Sequence, residues 1–62
     1  MSTSADRLTE RQLEVARLAA RGLTDRAIAE MLGLSPHTVH THLRNIFVRL
    51  GISRREDLEN LV

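Results

Sequence analysis

Three glycines, each followed two residues later by a hydroxyl side chain, divide this chain into four segments. The glycines are at positions 22, 33 and 51, and the residues that follow are Thr24, Ser35 and Ser53. Glycine readily adopts the left-handed conformation that ends a helix, and Ser or Thr is favoured at the N-cap of the next one. Thr9 is a fourth candidate N-cap. This spacing predicts helices over residues 9–21, 24–32, 35–50 and 53–62.

Neighbouring residues support these helix starts. Thr9 with Gln12, and Ser53 with Glu56, have the spacing of a capping box, in which two residues bond each other's backbone N–H groups. Pro36 occupies the first position of the third helix, where its missing N–H has no consequence. The β-branched residues are scattered without alternation, so no strand is predicted.

Composition limits what a chain of 62 residues can do. Cysteine is absent, which excludes disulfides, cysteine-ligated zinc and a thiol nucleophile. Phe47 is the one aromatic residue, so a stacking platform for single-stranded nucleic acid is excluded. No stretch has the length of a membrane span or the pattern of a signal peptide. We expect an all-α, four-helix domain over residues 8–62 and a loose polar tail over residues 1–7.

The charged residues are unevenly distributed. Residues 34–55 contain four arginines, all three histidines and no acidic residue, whereas residues 56–62 contain three acidic residues. A basic segment in a chain whose net charge is only +1 suggests a local anion-binding surface. Four arginines in a stretch of this length also arise by chance, so charge alone leaves both interpretations open.

The third predicted helix has two distinct faces. At about 100° per residue its apolar residues fall on one side, and these are Val39, Leu43, Ile46, Phe47 and Leu50. The opposite side is polar with a single apolar residue, and it carries His37, Thr41, Arg44 and Val48, with Thr38, His40 and Asn45 beside them. The first two helices are expected to bury Val15, Leu18, Ala19, Ile28, Ala29 and Leu32.

The second and third helices are separated only by Gly33 and Leu34. Ala29 supplies a small residue four positions before the glycine, where two helices can cross closely, and Val39 supplies a core residue six positions after it. These features indicate a helix-turn-helix, whose second helix enters the major groove of B-DNA. Any tight helical hairpin shares some of them, so a purely structural role stays open.

Several residues have the chemistry of DNA contacts. Arg44 can donate two hydrogen bonds to a guanine edge, His40 can donate one, and Thr41 can offer its hydroxyl or its methyl group. Residues suited to phosphate oxygens are Arg26, Ser35, Thr38, Arg49 and Arg54, with Arg55 as a further long cation. The alternatives are simple solvation for Arg54 and Arg55, and an ordinary position in the first helical turn for Thr38.

These residues, together with others along the chain, resemble the DNA-binding domain of LuxR-type transcription regulators. The resemblance covers about residues 8–58, and its most specific part runs from Thr38 to Ile52. The matching residues are Leu8-Thr9, Arg11-Gln12, Glu14-Val15, Gly22 to Arg26, Ile28-Ala29, Leu32, Leu34-Ser35, Thr38-Val39, His42-Leu43 and Arg49 to Ile52. In this family the domain is the C-terminal effector part of bacterial response regulators and quorum-sensing regulators.

The resemblance implies a cytoplasmic, nucleoid-associated bacterial regulator that binds double-stranded DNA without a cofactor. It implies that the third helix lies in the major groove with His40, Thr41 and Arg44 at base-contacting positions, and that Arg26, Ser35 and Thr38 lie near phosphates. The family commonly has lysine where this chain has His40. RNA polymerase is a further expected partner. The family usually fuses this domain to a receiver or ligand-binding domain, so the chain either acts alone or is part of a longer one.

The fourth predicted helix is the expected dimer contact. Leu58, Leu61 and Val62 are spaced as one narrow apolar stripe. A second copy presenting the same stripe would cover it and form a weak homodimer that DNA with two half-sites strengthens. Alternatively, the three residues complete the core of the monomer.

Other functions have weaker support. On a helix His42 points away from His37 and His40, so one metal ion cannot collect all three; His42 is expected to support packing or to bond a phosphate. The third helix has no carboxylate beside its histidines and the chain has no glycine-rich phosphate loop, which argues against an enzyme. A helical protein-interaction module and a promoter-binding domain like region 4 of sigma factors remain the alternatives.

Overall fold

The computed structural model describes residues 8–61, and over this range the chain forms four helices and no strand. They are α1 (Glu10–Ala20), α2 (Asp25–Leu32), α3 (Pro36–Leu50) and a C-terminal 3-10 helix (Arg55–Asn60). The predicted all-α fold is confirmed, and the first three helices begin and end within one residue of their predicted bounds. The tail predicted over residues 1–7 and Val62 lie outside the described residues.

The predicted caps start each of the three α-helices. Thr9 Oγ1 accepts a hydrogen bond from the Gln12 N–H and Gln12 Oε1 accepts one from the Thr9 N–H, both at 3.1 Å, which confirms the capping box. Thr24 and Ser35 each accept from the N–H three residues ahead, also at 3.1 Å. Because these bonds satisfy N–H groups that a helix leaves free, each helix start is determined locally.

Glycine ends α2 and α3 in the same way. Gly33 and Gly51 both have a φ of 69°, in the left-handed region. The next residue then donates its N–H backward, from Leu34 to the Ala29 carbonyl at 2.9 Å and from Ile52 to the Phe47 carbonyl at 3.0 Å. A side chain would meet no neighbour at either glycine, so the backbone conformation and not the space favours glycine there.

The prediction for the fourth helix is wrong in its type and its start. An α-helix over residues 53–62 with Ser53 as its N-cap is replaced by a six-residue 3-10 helix, Arg55–Asn60, which follows Arg54 without any side-chain cap. Its turns are closed by bonds between residues three apart, as from the Leu61 N–H to the Leu58 carbonyl at 3.0 Å. Arg55 forms hydrogen bonds to distant residues and Leu58 is buried in the core. These tertiary contacts outweigh the local capping preference of Ser53 and Glu56.

All four helices contribute to one small core. Its buried side chains are Val15, Ala16, Ala19, Ile28, Ala29, Val39, Leu43, Ile46 and Leu58. Leu18 and Leu32, which were expected inside, are only half-buried, whereas Ala16 is fully buried. In the apolar stripe of α3, Val39, Leu43 and Ile46 are buried. Phe47 and Leu50 are only half-buried and pack against the margin of the core.

The packing of the helices determines which surface of α3 is free. α3 packs against α1 and α2, and the C-terminal 3-10 helix packs against α1. The inner side of α3 is therefore covered by two helices, while its other side faces solvent. Among the described residues no helix is long and apolar enough to cross a membrane.

Leu58→Ala is expected to destabilise the domain strongly. Leu58 is completely buried, and truncation of such a side chain typically lowers the free energy of unfolding by about 2–5 kcal/mol. A domain of this size has only about 3–5 kcal/mol to lose. Urea denaturation followed by circular dichroism should show a variant that is largely unfolded without denaturant. Met31→Ala, at an exposed position, is the control and should unfold at the wild-type midpoint. A wild-type midpoint for Leu58→Ala would contradict the burial of Leu58.

Candidate nucleic-acid interface

α2 and α3 form the predicted helix-turn-helix. Only residues 33–35 separate the two helices, and Gly33 turns the chain in its left-handed conformation. Ala29 is 2% exposed and Val39 is fully buried, so the small residue and the core residue lie where the sequence predicts them. This arrangement holds α3 across α2 and presents one side of it to solvent.

The exposed side of α3 is the side that the sequence predicts. All the residues assigned to it are exposed, and they are His37, Thr38, His40, Thr41, Arg44, Asn45 and Val48. α3 contains no acidic residue. Its one apolar side chain on this side, Val48, is 81% exposed. The three predicted base-contacting residues, His40, Thr41 and Arg44, lie within about one helical turn of each other.

The start of α3 carries two of the predicted phosphate contacts. Ser35 Oγ accepts from the Thr38 N–H at 3.1 Å, and the two hydroxyl oxygens of Ser35 and Thr38 are 2.9 Å apart. Both residues are exposed. Their hydroxyl groups therefore stabilise the helix start and remain at the surface, where an oxygen of a phosphate group can approach.

The predicted cationic contacts differ in their surroundings. Arg26 lies 3.8 Å from Glu30 in a pair whose side chains are 84% and 73% exposed, which solvent screens strongly. Arg49 and Arg54 are also exposed. All three side chains can extend toward an anion on the outside of the domain.

Arg55, in contrast, is half-buried and forms hydrogen bonds within the domain. Its Nη1 donates to Asp25 Oδ1 at 2.8 Å and its Nη2 donates to the Leu23 carbonyl oxygen at 2.7 Å. These bonds join the C-terminal 3-10 helix to the start of α2. The guanidinium group of Arg55 is therefore engaged within the domain in this conformation, and its role as a further cation for phosphate stays a prediction.

Asp25 makes contacts that the sequence does not indicate. Its Oδ2 lies 3.8 Å from His40 Nδ1, while its other oxygen accepts from Arg55. Asp25 thus contacts a predicted base-contacting side chain from a neighbouring helix. Its position in the nearly neutral first half of the chain gives no sign of this contact.

The remaining predicted residues are placed as follows. His42 is half-buried and His37 is exposed. Across residues 8–61, no group of three or more His, Asp or Glu side chains is arranged to hold a metal ion. Of the predicted dimer stripe, Leu58 is fully buried in the core of one chain and Leu61 is half-buried. Leu58 therefore completes the monomer core and cannot contact a second chain in this conformation.

A surface groove of about 630 Å³ lies away from α3. Its lining includes the apolar residues Leu18, Met31 and Leu32 and charged residues of both signs, which are Glu14, Arg17, Arg21 and Glu59. None of these residues belongs to α3. The groove therefore lies on the part of the surface formed by the other three helices.

Comparison with known proteins agrees with the family resemblance seen in the sequence. The family model described as bacterial regulatory proteins of the luxR family matches residues 6–62. The chain is 45% identical over 53 residues to the transcriptional regulatory protein UhpA of Escherichia coli (strain K12), a match that covers 86% of this chain and 27% of UhpA. It is 42% identical over 48 residues to the nitrate/nitrite response regulator protein NarP of the same organism, covering 77% of this chain and 22% of NarP. The chain thus spans about a quarter of the length of these relatives. No solved structure matches it significantly.

The two neighbouring arginines of the C-terminal segment should differ in their effect on stability. Arg55→Met removes two short hydrogen bonds of a charged group and should lower the free energy of unfolding by about 1 kcal/mol, a value reduced for partial exposure. Arg54→Met is the matched control and should change it by less than about 0.5 kcal/mol. Thermal denaturation of both variants checks this. Equal melting temperatures would show that the Arg55 contacts do not stabilise the fold.

Proposed function

The chain belongs to the luxR family of bacterial regulatory proteins, and from that premise we propose that it binds double-stranded DNA sequence-specifically, with α3 in the major groove. Helix-turn-helix domains of this family bind DNA and regulate transcription, and the family is not an enzyme class. The observation that carries the proposal is the exposed side of α3, which is polar, basic and free of acidic residues.

The dimensions of α3 suit this role. A helix of 15 residues is about 22 Å long and, with its side chains, about 10–12 Å wide. The major groove of B-DNA is about 12 Å wide and admits one such helix. Because α1 and α2 cover the inner side of α3, the outer side is the one that can enter the groove.

Three side chains on that side supply the base contacts in this proposal. Arg44 pairs with guanine through two parallel hydrogen bonds to O6 and N7. His40 and Thr41, one turn nearer the start of the helix, contact the adjacent bases, and the N-terminal part of the second helix of a helix-turn-helix is the part that approaches base edges. All three are exposed and carried by a helix whose opposite side is buried.

Phosphate contacts flank these residues. Ser35 and Thr38 present hydroxyl groups at the N-terminus of α3, where the helix dipole also favours an anion. The exposed arginines Arg26, Arg49 and Arg54 extend toward the backbone on either side. Such contacts orient the domain and supply affinity that depends on salt, while the base contacts supply specificity.

Dimerisation through the C-terminal segment is a further part of the proposal. Because Leu58 is committed to the core, the surface left for a second copy centres on Leu61, which is half-buried. So small an apolar area supports a weak dimer, and DNA with two half-sites brings two copies together. In the cell the regulator acts on nucleoid DNA in the cytoplasm, with RNA polymerase as a second partner.

Two arginines should separate specificity from general affinity. Arg44→Ala should weaken binding to the preferred site by about 1–3 kcal/mol and relax the preference at one base position. Arg54→Ala should keep the base preference and reduce the slope of log affinity against log salt by about 0.9. Site selection from random duplexes, followed by binding titrations over a range of salt, measures both. Equal losses on specific and unrelated DNA would make Arg44 a phosphate contact, and salt-independent binding would overturn the proposal.

Leu61→Glu should prevent two copies from binding together. The wild-type domain is expected to be monomeric alone at micromolar concentration and to form a two-to-one complex on paired half-sites. A charge at position 61 should leave binding to one half-site intact and abolish cooperative occupation of both. Native mass measurements of the complexes test this, with Met31→Glu, at an exposed position of α2, as the control for an added charge. A variant at position 61 that still pairs would remove the dimer from the proposal.

A further inference from the structure

The contact between Asp25 and His40 joins the exposed side of α3 to a residue that the proposed function does not otherwise use. His40 Nδ1 lies 3.8 Å from Asp25 Oδ2. This separation is longer than a direct hydrogen bond and within the range of an electrostatic pair. The imidazole is therefore oriented with Nδ1 toward the carboxylate, which leaves Nε2 as the ring nitrogen directed away from it.

The carboxylate is itself held in place. Arg55 donates to Asp25 Oδ1 at 2.8 Å, so that oxygen is occupied and Oδ2 remains for His40. A second bond, from Arg55 to the Leu23 carbonyl at 2.7 Å, fixes the guanidinium group from the other side. The side chain of Asp25 is 30% exposed, compared with 61% for His40. A half-buried, anchored acceptor thus faces a more exposed imidazole.

We propose that Asp25 is a positioning residue for DNA specificity, which sets the tautomer of His40 and thereby the hydrogen-bonding character of Nε2 toward the bases. A neutral imidazole carries one N–H, and the partner of one nitrogen decides which nitrogen holds it. A small rotation of the exposed His40 side chain brings Nδ1 within hydrogen-bond distance of Asp25 Oδ2. An oxygen that can only accept then favours the proton on Nδ1. In neutral His40, Nε2 is then an acceptor, and only in the imidazolium form does it become a donor.

This assignment, which rests on the proposed function, changes the base that His40 prefers. An acceptor on His40 pairs with an amino group in the major groove, from adenine N6 or cytosine N4, whereas a donor pairs with guanine O6 or N7. With the proton held on Nδ1, the preference at the position contacted by His40 should therefore be for adenine or cytosine. The guanine contact expected from the sequence requires the proton on Nε2.

The other charged groups around His40 leave Asp25 as the residue that orients it. Arg55, on the C-terminal 3-10 helix, already pairs with the carboxylate and offsets much of its charge. On α3 itself, His37 and Arg44 lie one turn before and after His40, and both are exposed. Because the carboxylate is largely neutralised by Arg55, Asp25 acts on His40 chiefly through the direction of its oxygen.

Asp25→Asn is the sharpest test because it keeps the shape and reverses the hydrogen bond. Arg55 can only donate, so it takes the amide oxygen of the new side chain. The amide nitrogen then faces His40 Nδ1 and donates to it, which moves the imidazole proton to Nε2. We expect neutral His40 to have its proton on Nδ1 in the wild type and on Nε2 in Asp25→Asn. Nitrogen chemical shifts of the histidine ring, measured by NMR on the DNA-free chain near pH 8, distinguish the two.

Binding measurements extend the test to DNA. Four duplexes differ only at the base where His40→Ala changes the preference, and each is titrated with both proteins under the same conditions. The wild type should favour adenine or cytosine over guanine by about two- to tenfold, the range expected for one hydrogen bond. Asp25→Asn should favour guanine. His37→Gln is the matched control on the same side of α3 and should behave as the wild type.

The outcomes separate this inference from the proposed function. A wild-type His40 with its proton on Nε2, or a base preference that Asp25→Asn does not alter, overturns the role of Asp25 while DNA binding stands. A wild-type chain that binds no duplex overturns the proposed function, and the NMR measurement still decides the tautomer. If Asp25→Asn does not fold, the ring nitrogen shifts of the wild type alone confirm or refute the assignment.

Discussion

Burial of one side of α3 against α1 and α2 controls the position of everything on its other side. Val39, Leu43 and Ile46 are almost completely removed from solvent, and at about 25 cal/mol per Å² of apolar surface they are among the main stabilising contributions of so small a core. A rotation of α3 about its axis would expose them. The direction in which α3 presents Arg44 and its neighbours is therefore determined by hydrophobic packing.

The turn before α3 supplies the second constraint. Three residues connect the helices, and the capping bonds of Ser35 together with the left-handed Gly33 leave little freedom in the angle between them. A short, capped connection means that α2 and α3 behave as one unit. Residues on α2 can then influence α3 at a fixed distance, as Asp25 does with His40.

The features that the sequence predicts correctly are local. A cap bonds a residue three positions away, and a glycine ends a helix by its own backbone preference, so Thr9, Ser35 and Gly51 are recognisable without knowledge of the fold. The faces of α3 are predictable for the same reason, since periodicity alone separates them. The prediction for the C-terminal segment fails because the conformation of that segment depends on residues far away in the chain.

Two sites illustrate why the rest could not be predicted. The Asp25–Arg55 pair connects positions 30 residues apart, and neither residue type nor spacing distinguishes it from other acid and arginine combinations in the chain. The apolar spacing of Leu58 and Leu61 indicates a covered stripe but not what covers it. In the structure Leu58 is covered by the chain's own core, whereas Leu61 is covered only partly.

The Arg55 contacts also bear on how the domain opens and closes. Within each α-helix the hydrogen bonds join residues close in sequence, whereas Arg55 of the C-terminal 3-10 helix bonds Asp25 and Leu23, 30 and 32 residues away. Contacts of long sequence separation form late in folding, because the loop between them must close first. The same segment is short and, apart from Leu58, lies at or near the surface, which is typical of regions with low local stability. An opening of this segment would release the carboxylate of Asp25 from Arg55, so a change near the C-terminal end would reach the side of α3 that faces away from the core.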